Sequence, residues 1–166
     1  MTSSPAPELP AFADVEDAAR RIEGHAVLTP LLESPLLNEQ LGCRLLIKAE
    51  MLQRTGSFKI RGAYNRVSRT DRRGVVACSS GNHGQGVAAA ARIMGLSALI
   101  VMPGDAPGVK IAGTRAQGAE IVFYDRDGEN REQIAEAIAN ERSFDLIRPY
   151  DDPHIIAGQG TAGLEL

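Results

Sequence analysis

The sequence predicts an α/β fold, an open parallel sheet with flanking helices. Three observations carry that expectation. From Gly74 onward, short β-rich runs alternate with longer helical ones, the order that parallel βαβ units require. The runs at 75–79, 98–102 and 121–124 are almost continuously apolar, as strands covered on both faces are. Gly95 and Gly118 fall where the helices between these runs need a left-handed C-terminal cap.

In chain order, residues 1–13 hold Pro5, Pro7 and Pro10 among Ser and Ala. They lack the charged-then-apolar order of a secretory signal, so a flexible tail is expected. Residues 14–23 read as a helix and 44–50 as a strand. Residues 57–69 read as a second helix with Ser57 as its N-cap. Ile60, Ala63, Tyr64 and Val67 form the apolar stripe of that helix, which places Lys59 beside the buried face in the first turn. Helices at 82–94, 106–117 and 129–142 alternate with the strands. Asp151-Asp152-Pro153 opens a last helix that runs to Leu166 without a closing cap, so the chain is expected to stop partway through a larger design.

At 166 residues, one well-buried domain is within reach. A net charge of −3 argues against a general nucleic-acid binder, and the one basic group, Arg69, Arg72 and Arg73, reads as a solvated helix end. The apolar run at 97–102 falls far short of the roughly 20 residues of a membrane span, so a cytoplasmic protein with no membrane contact is expected. Cys43 and Cys78 lack metal or redox spacing and read as reduced packing residues, with no metal site.

Two stretches carry chemistry. Lys59 follows a glycine turn at the start of a helix, where partial burial and the positive end of the helix dipole both disfavour an ammonium ion. Lys48 and Lys110 read as ordinary exposed lysines. The loop Ser79-Ser80-Gly81-Asn82-His83-Gly84-Gln85-Gly86 follows a buried strand and opens a helix, so its N–H groups face the C-terminal edge of the sheet. Chemistry alone leaves two meanings open, a cradle for a carboxylate or phosphate and a tight turn with a satisfied cap.

The segments Lys48-Ala49-Glu50, Gln53 through Ala63, Ser79 through Gly86, Met102-Pro103 with Lys110 downstream, Gln117 through Glu120, and Asp151 through Thr161 together resemble the threonine/serine dehydratase (threonine ammonia-lyase) family. These are fold-type-II (tryptophan synthase β-like) pyridoxal-phosphate enzymes, with serine racemase as a relative. The resemblance covers nearly everything after the tail. It implies pyridoxal 5′-phosphate as cofactor, with Lys59 forming its Schiff base, Phe58 packing beside it and Asn82 bonded to the ring 3′-oxygen. Ser79, Ser80, Asn82 and His83 would receive the substrate carboxylate, and Ser80 would be the second acid/base of the racemases. The implied reaction removes water and ammonia from threonine or serine, giving 2-oxobutanoate or pyruvate.

Met51 stands where the family often has asparagine, a neutral packing change. The family also continues into a second half that carries a glycine-rich phosphate loop, and no two glycines are adjacent anywhere in this chain. The resemblance thus implies residues 14–55 as the first part of a large domain, 56–150 as a complete small domain and 151–166 as the return into the truncated large one. The full-length protein would be a homo-oligomer acting on a small amino acid, and the fragment alone would be inactive. Exposed apolar surface is expected around Leu45, Leu46 and Ile47 and on the Ile155, Ile156 helix. A racemase, a 3-hydroxyaspartate dehydratase, and a non-catalytic remnant or half of a split protein are the competing readings.

Overall fold

The computed structural model describes residues 9–166. Most of the expected tail lies outside them. Its last residues, Phe12 and Ala13, already belong to helix α1 (Phe12–Ile22), because the Asp14 carboxylate accepts the Ala11 N–H at 2.7 Å and starts the helix early. There follow β1 (Leu31–Glu33), α2 (Pro35–Leu41), β2 (Leu46–Lys48), 3-10 turns at Glu50–Leu52 and Arg54–Gly56, and α3 (Lys59–Val67). The second part runs β3 (Gly74–Cys78), α4 (Asn82–Met94), β4 (Ser97–Pro103), α5 (Gly108–Ala116), β5 (Glu120–Tyr124), α6 (Arg131–Arg142), β6 (Asp145–Leu146) and α7 (Pro153–Leu164).

The main sheet has the order β5-β4-β3-β6 and every pair is parallel. Its side chains alternate between two cores. Val75, Ala77, Ile100 and Met102 face α3 and the alanines of α4, while Val76, Leu99 and Val101 meet Tyr124 and Ala135 of α6. Burial on both faces explains the unbroken apolar runs of β3 and β4, whereas the run at 121–124 forms β5 at the sheet edge, where Phe123 is exposed rather than covered. The expected strand at 44–50 contracts to β2, which pairs antiparallel with β1. β1, α2 and β6 carry too few residues to show a period, and sequence patterning misses them.

Helix α3 is the hub. On one side it packs on α4, on the other on α7 and α1. The expected boundary at residue 56 falls just before this helix, which ties together the segments on either side of it. Contact between α3 and α7 is backbone-close: a Cβ on Gly62 would lie 2.6 Å from the Ile155 carbonyl oxygen, and one on Gly158 2.7 Å from that of Arg61.

A polar cluster crosses the same contact. Arg61 is fully buried, with Nε and Nη2 donating to Glu50 and Nη1 and Nη2 to Glu165 at 2.6–2.9 Å, while Nη2 also reaches the Val27 carbonyl. Lys48 joins it, bonding Glu165 at 2.5 Å and the Thr29 carbonyl at 2.6 Å, and is therefore not the exposed lysine expected. Arg66 bonds Asp145 through both carboxylate oxygens and Asp152 through its Nε, while the other Asp152 oxygen caps α7.

Three further expectations change. Arg69 is not a solvated end, since it pairs with Asp17 of α1 at 2.7 Å. Ile155 is fully buried under α3, leaving Leu46, Ile47 and Ile156 as the exposed apolar residues of the predicted surface. Cys43 is exposed rather than packed.

Replacing Arg61 by Met leaves Glu50 without a cation and Glu165 with Lys48 alone. The expected cost is about 3–5 kcal/mol, read from urea unfolding. Gly158→Ala forces α7 off α3 and should cost about 1–3 kcal/mol by the same measurement.

Candidate active site

Helix α3 is entered through a pinned turn. Gln53 is buried and clamps Val27, accepting its N–H at 2.8 Å and donating to its carbonyl at 2.7 Å. Thr55 and Gly56 then both take left-handed backbone, with φ of 66° and 72°. For a β-branched residue this conformation costs about 1–3 kcal/mol and persists only where the surroundings impose it. Ser57 is extended, not the expected N-cap. Helical backbone begins one residue later at Phe58, and the Ser57 hydroxyl is buried without a partner. Lys59 is thereby the first residue of α3.

Its side chain is half-buried. Nζ donates to the Pro149 carbonyl at 3.3 Å and lies 5.2 Å from the centroid of the partly exposed Phe58 ring. Desolvation draws the Lys59 pKa below the ordinary lysine range, toward the neutral amine a nucleophile needs.

The second stretch arrives from β3. Ser79 N–H still bonds the Val101 carbonyl, after which Gly81 N–H turns onto Ser79 Oγ at 3.1 Å and α4 begins at Asn82. The N–H groups of Asn82, His83 and Gly84 precede the first helical hydrogen bond and are available to an anion. A Cβ on Gly86 would sit 3.1 Å from the Lys59 carbonyl carbon, tighter than most side-chain contacts, so the first turns of α3 and α4 touch where glycine leaves room.

The residues singled out by sequence meet here, with different parts to play. Ser79 closes the turn and keeps its O–H to donate, while Ser80 sits half-buried beside it. Asn82 is exposed, and its Oδ1 accepts from Lys110 Nζ at 2.9 Å. The His83 ring points inward. It is only 4 % exposed, and its Nε2 donates to the Ile147 carbonyl at 3.3 Å while Nδ1 is left without a partner. Burial pulls the His83 pKa down to about 4, so the ring is neutral and only its backbone N–H faces the cradle.

Lys110, set aside in the sequence, and the 147–149 segment that receives both Lys59 and His83 are the residues that patterning missed. A signal for Lys110 exists in the topology: α4 and α5 follow neighbouring parallel strands, so their N-termini lie side by side. Cys78, at the end of β3, donates to the Arg131 carbonyl, and burial pushes its thiol up to about 11, which makes it inert.

The family model for "Pyridoxal-phosphate dependent enzyme" matches residues 22–166. The chain belongs to this family. An L-threo-3-hydroxyaspartate ammonia-lyase of Pseudomonas sp is 52% identical over 163 residues, covering 96% of this chain and 51% of the relative. Among solved structures, a threonine deaminase from T.th. superposes with a TM-score of 0.89 at 52% identity, over 94% of this chain and 50% of that one. Maize serine racemase superposes at 0.92 with 35% identity, over 95% and 49%. The chain thus spans about half the length of the relatives it matches, and it shares their fold-type-II architecture. Among the described residues no helix is long and apolar enough to cross a membrane, and no cluster of potential metal ligands is found.

Pyridoxal phosphate is the family's cofactor. The residues present fit its ring end: a desolvated amine on Lys59, an amide on Asn82, free N–H groups on α4, and unpartnered buried hydroxyls on Thr55 and Ser57 flanking the lysine's turn.

His83 also sets a pH dependence. With a folded pKa of about 4 against the ordinary 6.5, the unfolded chain binds the extra proton first, so stability falls as pH drops from 6.5 toward 4. His83→Gln should flatten this part of the urea-unfolding profile between pH 7 and pH 4 relative to the parent.

Proposed function

We propose that this chain supplies the lysine half of a site that removes ammonia from a 3-hydroxy-2-amino acid, with pyridoxal phosphate as cofactor. The observation that carries this reading is the half-buried Lys59 amine, held on the Pro149 carbonyl where the first turns of α3 and α4 meet.

When bound, pyridoxal phosphate supplies an electron sink next to the substrate α-carbon. The chain's own groups do the rest. Lys59 would hold the cofactor in the resting protein, and its amine, when free, would take the α-proton of the substrate. Desolvation, which draws its pKa down, favours that role, and the Pro149 carbonyl holds Nζ in place. Ser79, Ser80 and the N–H groups of Asn82, His83 and Gly84 hold the substrate carboxylate, an anion suited to a helix start. Asn82 would donate to the ring oxygen and Phe58 would pack beside the ring. The α-proton and the β-hydroxyl would leave together as water, and hydrolysis would then release a 2-oxo acid and ammonia. Neutral, buried His83 props the cradle from beneath without adding charge to it.

The substrate class rests on the relatives. A hydroxyaspartate ammonia-lyase and a threonine deaminase share the same 52% identity with this chain, and both names describe loss of ammonia from an amino acid. Similarity to serine racemase supports a second reading, in which Ser80 delivers a proton to the opposite face. In either reading residues 14–55 and 151–166 belong to a larger domain. The relatives carry a further half, and the cofactor phosphate is proposed to be gripped there, since charge-assisted hydrogen bonds of that kind dominate phosphate binding.

The chain alone is therefore expected to turn over no threonine, serine or threo-3-hydroxyaspartate. Supplying the C-terminal half of a relative, fused or in trans, should restore ammonia release from at least one of them. Lys59→Ala should abolish both that release and the borohydride trapping of pyridoxal phosphate on the peptide containing residue 59. Ser80→Ala should weaken substrate binding by about 1.5–3 kcal/mol, read as a raised KM, while sparing the trapping. Persistent trapping in the Lys59 variant at another lysine would overturn the assignment.

A further inference from the structure

Lys110 breaks a local rule. It lies in the first turn of α5, where the helix dipole disfavours a cation, and among the described residues it has no carboxylate partner. Its ammonium makes one contact with another side chain, the 2.9 Å bond to Asn82 Oδ1. The two helices that carry these residues pack together nearby, where a Cβ on Gly113 of α5 would meet the Gln85 side chain of α4 at 3.1 Å.

An ammonium can only donate. The end of the Asn82 amide facing Lys110 must therefore be the oxygen, which leaves Nδ2, the donor end, turned to whatever else approaches the start of α4. Asn82 is exposed and has no other side-chain bond among the described residues to choose its orientation. A cation on Oδ1 also polarises the amide and strengthens Nδ2 as a donor.

We propose that Lys110 is a positioning residue: it fixes the Asn82 amide as a donor toward the cofactor's ring oxygen. This rests on the role given to Asn82 above. A free asparagine presents oxygen or nitrogen alike, whereas a ring oxygen carrying negative charge accepts only from the nitrogen. Lys110 is thus a selector for an anionic oxygen at this point, acting without touching the cofactor.

The test compares K110M, K110R and N82A in the chain as it stands, through three readouts. These are the unfolding midpoint, the side-chain amide resonances of Asn82 without cofactor (identified by their loss in N82A), and the pyridoxal phosphate concentration that half-saturates borohydride trapping at Lys59. K110M should keep the unfolding midpoint and move the Asn82 amide resonances toward those of a free asparagine. It should raise the half-saturating concentration about three- to tenfold, the scale of one hydrogen bond. K110R, which keeps both charge and donor, should stay within about twofold of the parent. Unmoved Asn82 resonances in K110M overturn the proposal, even if trapping weakens, because Lys110 would then act only as a distant charge. Weaker trapping in N82A with unchanged trapping in K110M overturns the role of Lys110 and leaves that of Asn82 standing. Unchanged trapping in N82A overturns the Asn82 reading, and this proposal with it.

Discussion

A guanidinium taken wholly out of water governs the placement of α3. Burying the Arg61 charge is tolerable only because its donors find the Val27 carbonyl, Glu50, and the Thr161 and Glu165 side chains, which come from three different segments of the chain. Each segment must therefore arrive at a set distance from α3. The close Gly62–Gly158 crossing then fixes how α7 lies against it, and Arg66 repeats the arrangement further along the helix through Asp145 and Asp152. Lys59 stands two residues before Arg61 on the same helix, so the cluster that orders the fold also sets the root of the Lys59 side chain.

The candidate site combines opposite electrostatic requirements over a short distance. The amine must lose water to become nucleophilic, while the anion cradle beside it must keep its donors unspent. Both are met at helix starts, by different means. Lys59 is half covered and lies against Phe58 and the Pro149 carbonyl, whereas the cradle exposes N–H groups that α4 has not yet used. A neutral His83 suits this arrangement, because a charged imidazole buried at the start of α4 would lack water and face the positive end of the helix dipole.

Periodicity and glycine placement make the three longer strands of the main sheet, α4 and α6 legible, because each is long enough to show its pattern. Ser57 escapes such reasoning since capping depends on where helical φ begins, and the left-handed Thr55-Gly56 pair shifts that point by one residue. Lys48 and Lys110 look ordinary in sequence because a lysine's surroundings come from tertiary contacts: one is enclosed by Glu165 and Thr29, the other meets Asn82 across two helices. His83 can be placed in the loop by its motif, but not turned inward by it. That orientation depends on the Ile147 carbonyl, which β6 delivers from far along the chain.

The partners of α3 are remote in sequence. Lys59 and Pro149 are 90 residues apart, and Arg61 and Glu165 are 104 apart. At a synthesis rate of about 5–20 residues per second, roughly 5–20 seconds separate the emergence of Arg61 from that of its second carboxylate. Throughout that interval the nascent chain carries a cation only half compensated and a lysine still in water. The helix that bears Lys59 can acquire its final surroundings only after nearly all of this sequence has left the ribosome, so the desolvated environment of Lys59 is withheld from the growing chain by timing alone.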